Sequence, residues 1–149
     1  MKKITHLIFK ASFIFTGLLI TLSLIATTCE DEPEVSASQK VQDYLTAGSW
    51  RVTYFFDDTE ETTDFTGYSF TFSDNGTVST TNGVNTVSGT WTTLTSDSGL
   101  KLVLDFGTTV PFDELNDDWK IQESTSIKIR LEDVSGGSGG TDYLTLEKI

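Results

Sequence analysis

The 149-residue chain has one cysteine, one histidine, one methionine and two prolines, and 10 basic residues stand against 22 acidic ones. Each shortage closes off a class of function. Cys29 alone can form no disulfide within the chain. The single histidine, His6, stands among the first ten residues. From Glu30 onward there is neither thiol nor imidazole, which excludes Ser-His-Asp and Cys-His catalysis there, and zinc sites of the usual donor types. A formal charge of −12 repels nucleic-acid phosphates and anionic lipid headgroups, so neither is expected as an electrostatic partner. The run Gly136-Gly137-Ser138-Gly139-Gly140 lacks the Lys-Ser/Thr pair of a phosphate loop and reads as a flexible strand connection. Nothing in the pattern calls for a cofactor.

The N-terminus is where the lone cysteine finds a reason. Lys2, Lys3 and Lys10 precede an apolar run from Ala11 to Ala26, too short for a comfortable transmembrane helix. Leu24-Ile25-Ala26, followed by Thr27-Thr28-Cys29, resembles the lipobox of bacterial lipoproteins, with Thr28 where Gly, Ala or Ser is usual. The resemblance implies cleavage before Cys29 and acylation of its thiol and new amino group. A signal anchor and a plain secretory leader are the competing readings. Each buried acyl methylene stabilises attachment by ~0.8 kcal/mol, and more than one chain makes a stable anchor. Glu30-Asp31-Glu32-Pro33-Glu34 is a solvated linker by composition. It also resembles the acidic export signal of Bacteroidota surface lipoproteins, which implies an outer-membrane protein facing the cell surface. Loss of residues 1–28 removes three lysines and no acid, moving the formal charge from −12 to −15. The expected organisation is thus a signal peptide over 1–28, a lipidated acidic tether over 29–44 and a folded domain over 45–149.

Helical signals are confined to Val41–Leu45, with Ser38 as the N-cap and Gly48 as the stop. Beyond them, alternating Thr, Val, Phe, Tyr and Ile punctuated by Gly, Asn and Asp predict eight short antiparallel strands. These are Ser49–Phe56, Thr66–Ser73, Gly76–Thr81, Val84–Thr93, Gly99–Phe106, Asp118–Glu123, Ser126–Asp133 and Thr141–Lys148. Asn82-Gly83 is a hairpin signal, and Asn75-Gly76-Thr77, a glycosylation sequon by pattern, reads better as a turn. Alternation places Trp50, Val52, Tyr54 and Phe56 on one face of the first strand. The expected fold is an all-β, eight-stranded, antiparallel up-and-down barrel preceded by a short helix, closed so that no edge strand is exposed. Loops alternate between its ends. The end shared with the N-terminus has tight connections, whereas the other carries "DDTEETTDF", "GTTVPFDELND" and "VSGGSGG".

Gly48-Ser49-Trp50, Tyr68-Ser69-Phe70-Thr71-Phe72, Asp74-Asn75-Gly76-Thr77, Gly89-Thr90-Trp91, Leu100–Leu104, Trp119 and Leu144-Thr145-Leu146-Glu147-Lys148 resemble the lipocalin-like domains of bacterial lipoproteins. The resemblance spans roughly Leu45 to the C-terminus. It implies that a basic residue of the last strand, here Lys148, packs over Trp50, worth ~0.5–1 kcal/mol as a cation–π contact.

Asp57, Asp58, Glu60, Glu61 and Asp64 form one acidic loop cluster, and Asp113, Glu114, Asp117 and Asp118 another. Neither follows a calcium-loop spacing, and both read as solvated acid; an acid–base pair on glycans or a Ca²⁺ site are the alternatives. Trp50 and Trp91 are expected as core toward the tight end. Tyr54, Phe56, Phe65, Tyr68, Phe106, Phe112 and Trp119 are expected to gather at the elaborated end, as exposed loop aromatics over a floor of inward rings. A barrel of eight strands is just wide enough to be filled by side chains or to hold one small ligand. The first functional expectation is therefore a non-enzymatic envelope lipoprotein binding a small apolar or aromatic ligand at that end. The alternative is a structural or accessory subunit of an outer-membrane protein assembly.

Overall fold

The computed structural model describes residues 35–134 and 140–149, all within one unit, Pro33–Ile149. Cys29, the leader and the acidic run lie outside the described residues, as do Ser135–Gly139 of the glycine run. Helix α1 spans Ala37–Thr46. The Ser36 hydroxyl caps it, accepting the Gln39 backbone N–H at 3.1 Å. The helix is thus longer than expected, occupies residues assigned to the tether, and uses Ser36 where Ser38 was expected. Ser38 instead shares a 2.7 Å hydrogen bond with Thr93 on the barrel. Val41 and Leu45, one turn apart, are the residues α1 buries.

The strands are β1 (Ser49–Asp57), β2 (Thr59–Glu60), β3 (Ser69–Phe72), β4 (Thr77–Thr81), β5 (Thr86–Ser96), β6 (Gly99–Asp105), β7 (Asp117–Ser124), β8 (Lys128–Asp133) and β9 (Asp142–Lys148). All pairings are antiparallel, β2 is a two-residue arm folded onto β1, and β1 pairs with β9 to close an eight-stranded up-and-down barrel. Single turns of 3₁₀ helix, Thr62–Phe65 and Phe112–Leu115, interrupt the two long connections on either side of β3–β6.

Alternation decides which side chains face inward. Phe70, Phe72, Leu102, Leu104, Ile129, Leu131, Leu144 and Leu146 all do so and are buried. The β4–β5 hairpin forms at Asn82, whose side-chain oxygen accepts the backbone N–H groups of Val84 and Asn85 at 3.0 and 2.8 Å. Gly89 marks a tight spot in β5, where a Cβ would lie 2.4 Å from the Asp105 carbonyl oxygen and 2.8 Å from the Phe106 ring.

The first strand departs from its expected pattern. Its register against β9 shifts between Val52 and Tyr54, so one extra residue sits in β1. Such a bulge reverses every later side chain. Trp50 and Val52 face inward as expected, but Phe55 takes the next inward place, fully buried. Tyr54 turns outward and is 41% exposed. Phe56 also moves to the wall, its ring 6.4 Å from Tyr143. The expected inward positions of Tyr54 and Phe56 are thereby corrected.

α1 closes the tight end. The Trp50 indole N–H donates to the Leu45 carbonyl at 2.9 Å, and Gln42 donates to Thr93 at 2.6 Å. The Lys148 ammonium lies 5.8 Å from the Trp50 ring centre, the contact that the resemblance implied. Glycine at position 48 leaves room for it, since a Cβ there would stand 2.6 Å from the Lys148 Cε and push the lysine side chain aside.

Candidate functional site

Two of the long connections, β2–β3 and β6–β7, fold down into the barrel. The 3₁₀ turn over Thr62–Phe65 buries Phe65, and the turn over Phe112–Leu115 buries Phe112 and Leu115. Phe112 is the hub, with ring centres at 5.9 Å from Phe65, 5.0 Å from Tyr68, 6.1 Å from Phe70 and 5.6 Å from Phe106. Phe55 meets Phe65 edge-on at 5.3 Å and Trp119 at 6.3 Å. The Trp119 indole donates to the Leu115 carbonyl at 2.9 Å. Aromatic pairs of this kind contribute ~0.5–1.5 kcal/mol each beyond burial.

Of the seven aromatic residues expected at this end, Phe65, Phe106, Phe112 and Trp119 are therefore together, but buried as a plug. Tyr68 is half-buried at its margin. Tyr54 and Phe56 are elsewhere, on the outer wall. Phe55 and Phe70, which complete the plug, were not among the expected site residues. The run Tyr54-Phe55-Phe56 gives alternation no means of choosing between phases once a bulge intervenes.

Two depressions flank the plug. The first is a groove of about 450 Å³ between β1 and β3, lined by Arg51–Thr53, Phe65–Ser69 and Ile149. It exists because β1 and β3 pair only at Ser49–Thr71 and Trp50–Phe70, then separate.

The second is a pocket of about 170 Å³ lined by Phe55, Asp57, Asp113, Glu114, Asn116, Asp117, Trp119 and Asp142. Its acids come from both sequence clusters and from β9. Asp57 shares the alternation phase of Phe55, Asp117 that of Trp119, and Asp142 that of Leu144, so these strand carboxylates take the inward phase at the barrel rim. Asp57 and Asp117 are thus strand residues at the rim, a correction to their expected place in solvated loops. Asp142 is only 8% exposed, and its Oδ1 accepts no hydrogen bond. The Asp113 Oδ1 is likewise buried without a partner. Asp133, directly opposite Asp142 in the β8–β9 register, is buried beside it. Carboxylate oxygens of Asp117, Asp118 and Asp133 lie within 4.8 Å of one another.

This crowding shifts proton affinities upward. Burial pushes the Asp142 carboxyl above the ordinary range, helped by the charges of Asp57, Asp133 and Asp58. Burial also raises Glu114, with Asp113, Asp57 and Glu61 adding repulsion. Asp117 rises through burial, opposed by the Asp118 backbone N–H that it accepts at 2.6 Å. Asp118 moves the other way, because Lys101 donates to it at 2.6 Å on the outer wall. The other ion pairs, Lys120–Glu132, Lys128–Glu147 and Arg130–Glu123, also involve neither Asp57, Asp113, Glu114 nor Asp142. Among the described residues, no Lys or Arg forms an ion pair with those four. Asn116 lines the pocket with its side chain already committed: it accepts the Phe106 N–H and donates to the Gly107 carbonyl.

Asp133 and Asp142 were absent from the sequence-derived clusters. The signal was there, since each continues the inward alternation of a strand, after Ile129 and Leu131 or before Leu144 and Leu146. An acid in an apolar phase is the informative exception.

Among the described residues, no helix is long and apolar enough to cross a membrane. The sequence matches no protein-family model and no curated protein. The chain is similar in structure to a DUF4847 family protein from Bacteroides vulgatus ATCC 8482, with 17% identity over 72% of this chain and 96% of that one, at a TM-score of 0.48.

Proposed function

We propose that the protein is a non-enzymatic module of the cell envelope, attached to the outer membrane through acylated Cys29 and facing the cell surface, where it serves as an accessory subunit of an outer-membrane protein assembly. The observation supporting a docking role over a carrier role is the filled interior. Phe55, Phe65, Phe70, Phe106, Phe112 and Trp119 occupy the space that a small apolar ligand would need. A solid barrel offers its wall and ends. Val84, Val110 and Val134 stand exposed on three connections of the elaborated end, which also carries the pocket acids, and this suits a partner surface carrying apolar and basic groups.

The test separates the two readings. Wild-type cells should incorporate labelled palmitate into the protein, and Cys29→Ser should abolish it; an unlabelled wild type overturns the anchor. The processed protein should then show no saturable change in tryptophan fluorescence with laurate or anilinonaphthalene sulfonate. Saturable one-to-one quenching, lost on Trp119→Phe, would return the protein to the small-ligand class. A photocrosslinker at Val110 should give a discrete adduct with an outer-membrane protein on intact cells, whereas one at Leu94 on the wall should not.

A further inference from the structure

Strand register shifts at two places among the described residues, and both border one face of the outer wall. β1 holds an extra residue between Val52 and Tyr54, and β7 holds another, Gln122, between Ile121 and Glu123. An extra residue reverses the alternation that follows it. In β1 it sends Tyr54 and Phe56 outward, and in β7 it brings Glu123 out beside Arg130. The strands from β7 through β8 and β9 to β1 then present two rows across their shared register. One row runs Glu123–Arg130–Thr145–Tyr54, and the other Lys120–Glu132–Tyr143–Phe56.

This face carries a recess of about 290 Å³, with Tyr54, Gln122, Arg130, Glu132, Tyr143 and Thr145 in its lining. That volume stands at the ~300 Å³ lower end of small-molecule sites. Tyr54 and Tyr143 are diagonal neighbours, roughly 7–8 Å apart by register, and are 41% and 39% exposed. Neither hydroxyl has a hydrogen-bond partner among the described residues. The Phe56 ring supports Tyr143 at 6.4 Å. The other half of the face is charged but balanced. Lys120 pairs with Glu132 at 3.4 Å and Arg130 with Glu123 at 3.8 Å, so four charges cancel within a chain of net −12. The longer distance is beyond hydrogen bonding, which leaves the planar groups of Arg130 and Glu123 open to other partners.

We infer that this face binds an uncharged glycan, with Tyr54 and Tyr143 as the stacking surface and Arg130, Glu123 and Gln122 as hydroxyl partners. A pyranose ring has a face of C–H groups made slightly positive by the ring oxygens, which suits the negative face of an aromatic ring. Its rim carries neighbouring hydroxyls that both donate and accept. Guanidinium, carboxylate and amide groups hold paired donors or acceptors at matching spacing. The cancelled charges favour a neutral sugar over an acidic one. They also disfavour a protein partner, because the centre of a protein interface is depleted of charge, whereas half of the eight residues in the two rows are charged. The inference stands apart from lipidation and from docking at the elaborated end.

The experiment titrates the purified full-length protein by calorimetry with neutral hexasaccharides of the cello, xylo, laminari, manno and malto series, and with oligogalacturonate as an acidic comparison. At least one neutral series should bind saturably, with amide shifts in NMR centred on Tyr54, Tyr143 and Thr145. Tyr54→Ala and Tyr143→Ala should each weaken that binding by roughly tenfold or more. Tyr143→Phe, which keeps the ring, should retain most of it, and Leu94→Ala on β5 should change nothing. The tyrosines are surface residues, so both Ala variants should unfold near the wild-type midpoint, which guards against misfolding. No saturable binding of any neutral series at millimolar concentration would overturn the inference. So would binding undiminished in both Ala variants, or tighter binding of oligogalacturonate. A photocrosslinker at Tyr54 that captures one protein on intact cells, with no sugar bound by the purified chain, would make the face a protein interface instead.

Discussion

The two ends of the barrel are closed by the same device and differ in everything around it. At the tight end the Trp50 indole donates to the carbonyl of Leu45, in the last turn of α1; at the elaborated end Trp119 donates to the carbonyl of Leu115, the last residue of a 3₁₀ turn. Both distances are 2.9 Å, and both leucines are fully buried. Around Trp50 the polar groups have partners: Gln42 and Ser38 reach Thr93, and Lys148 covers the ring. Around Trp119 the Oδ1 atoms of Asp113 and Asp142 accept nothing. Closing a barrel therefore does not require the acids. One end shows what closure needs, and the other carries an additional demand that fold stability alone would select against.

The comparison is most easily broken at the two tryptophans. Trp50→Ala and Trp119→Ala should each cost about 3–5 kcal/mol, the usual range for truncating a buried aromatic, as measured by urea denaturation. A cost below about 1 kcal/mol at Trp119 alone would make the elaborated end a yielding mouth rather than a plug. Ser36→Ala should cost about 1 kcal/mol through loss of the α1 cap. Hydrogen exchange should quicken in α1 and leave the Phe112 turn unchanged, which tests whether the ends are independent. Lys148→Met should remove the ~0.5–1 kcal/mol cation–π contact without disturbing β9, and a calorimetric midpoint would register it.

The smallest expected effect is the most diagnostic of the acidic end. Asp142, Asp117 and Glu114 hold their protons more tightly in the folded chain than the ordinary 3.8 and 4.5. Their contribution to stability is complete below those ordinary values and is lost as pH rises through the raised folded ones. Asp118 has the opposite sign: its contribution, present above 3.8, is lost as pH falls through its lowered value. The unfolding midpoint should therefore climb as pH falls through the raised values of these three carboxyls, before Asp118 is protonated. Asp142→Asn should flatten the climb, whereas Asp74→Asn, in the β3–β4 turn of the opposite end, should not. A flat wild-type profile would mean that the pocket acids are compensated in some other way.

How far the sequence reveals this molecule depends on whether a feature is periodic. The strands and their order were legible because alternation carries them, whereas the Lys148–Trp50 stack was what the lipocalin-like resemblance implied. The helix was foreshortened because its first turn, Ala37-Ser38-Gln39-Lys40, has no large apolar side chain and reads as linker. The bulge in β1 has no signature within Thr53-Tyr54-Phe55-Phe56, where either phase buries aromatics, so two site residues were turned to the wrong side. The inward folding of Phe65 and Phe112 depends on single 3₁₀ turns, each too short to show a period. Asp133 and Asp142 were readable by phase but were passed over, because acids near a glycine-rich loop look solvated.

The pairing of β1 with β9 joins Trp50 to Lys148, 98 positions apart, and runs through Phe56–Tyr143. Contacts of that separation form late, because a long loop must be closed before they bring any gain. A chain that emerges from its N-terminus can assemble β3 to β8 hairpin by hairpin, yet β1 waits with one side unsatisfied until the last eight residues arrive. That delay keeps the barrel open until β9 is in place, and the closing strand then acts as a latch that seals the wall in one step.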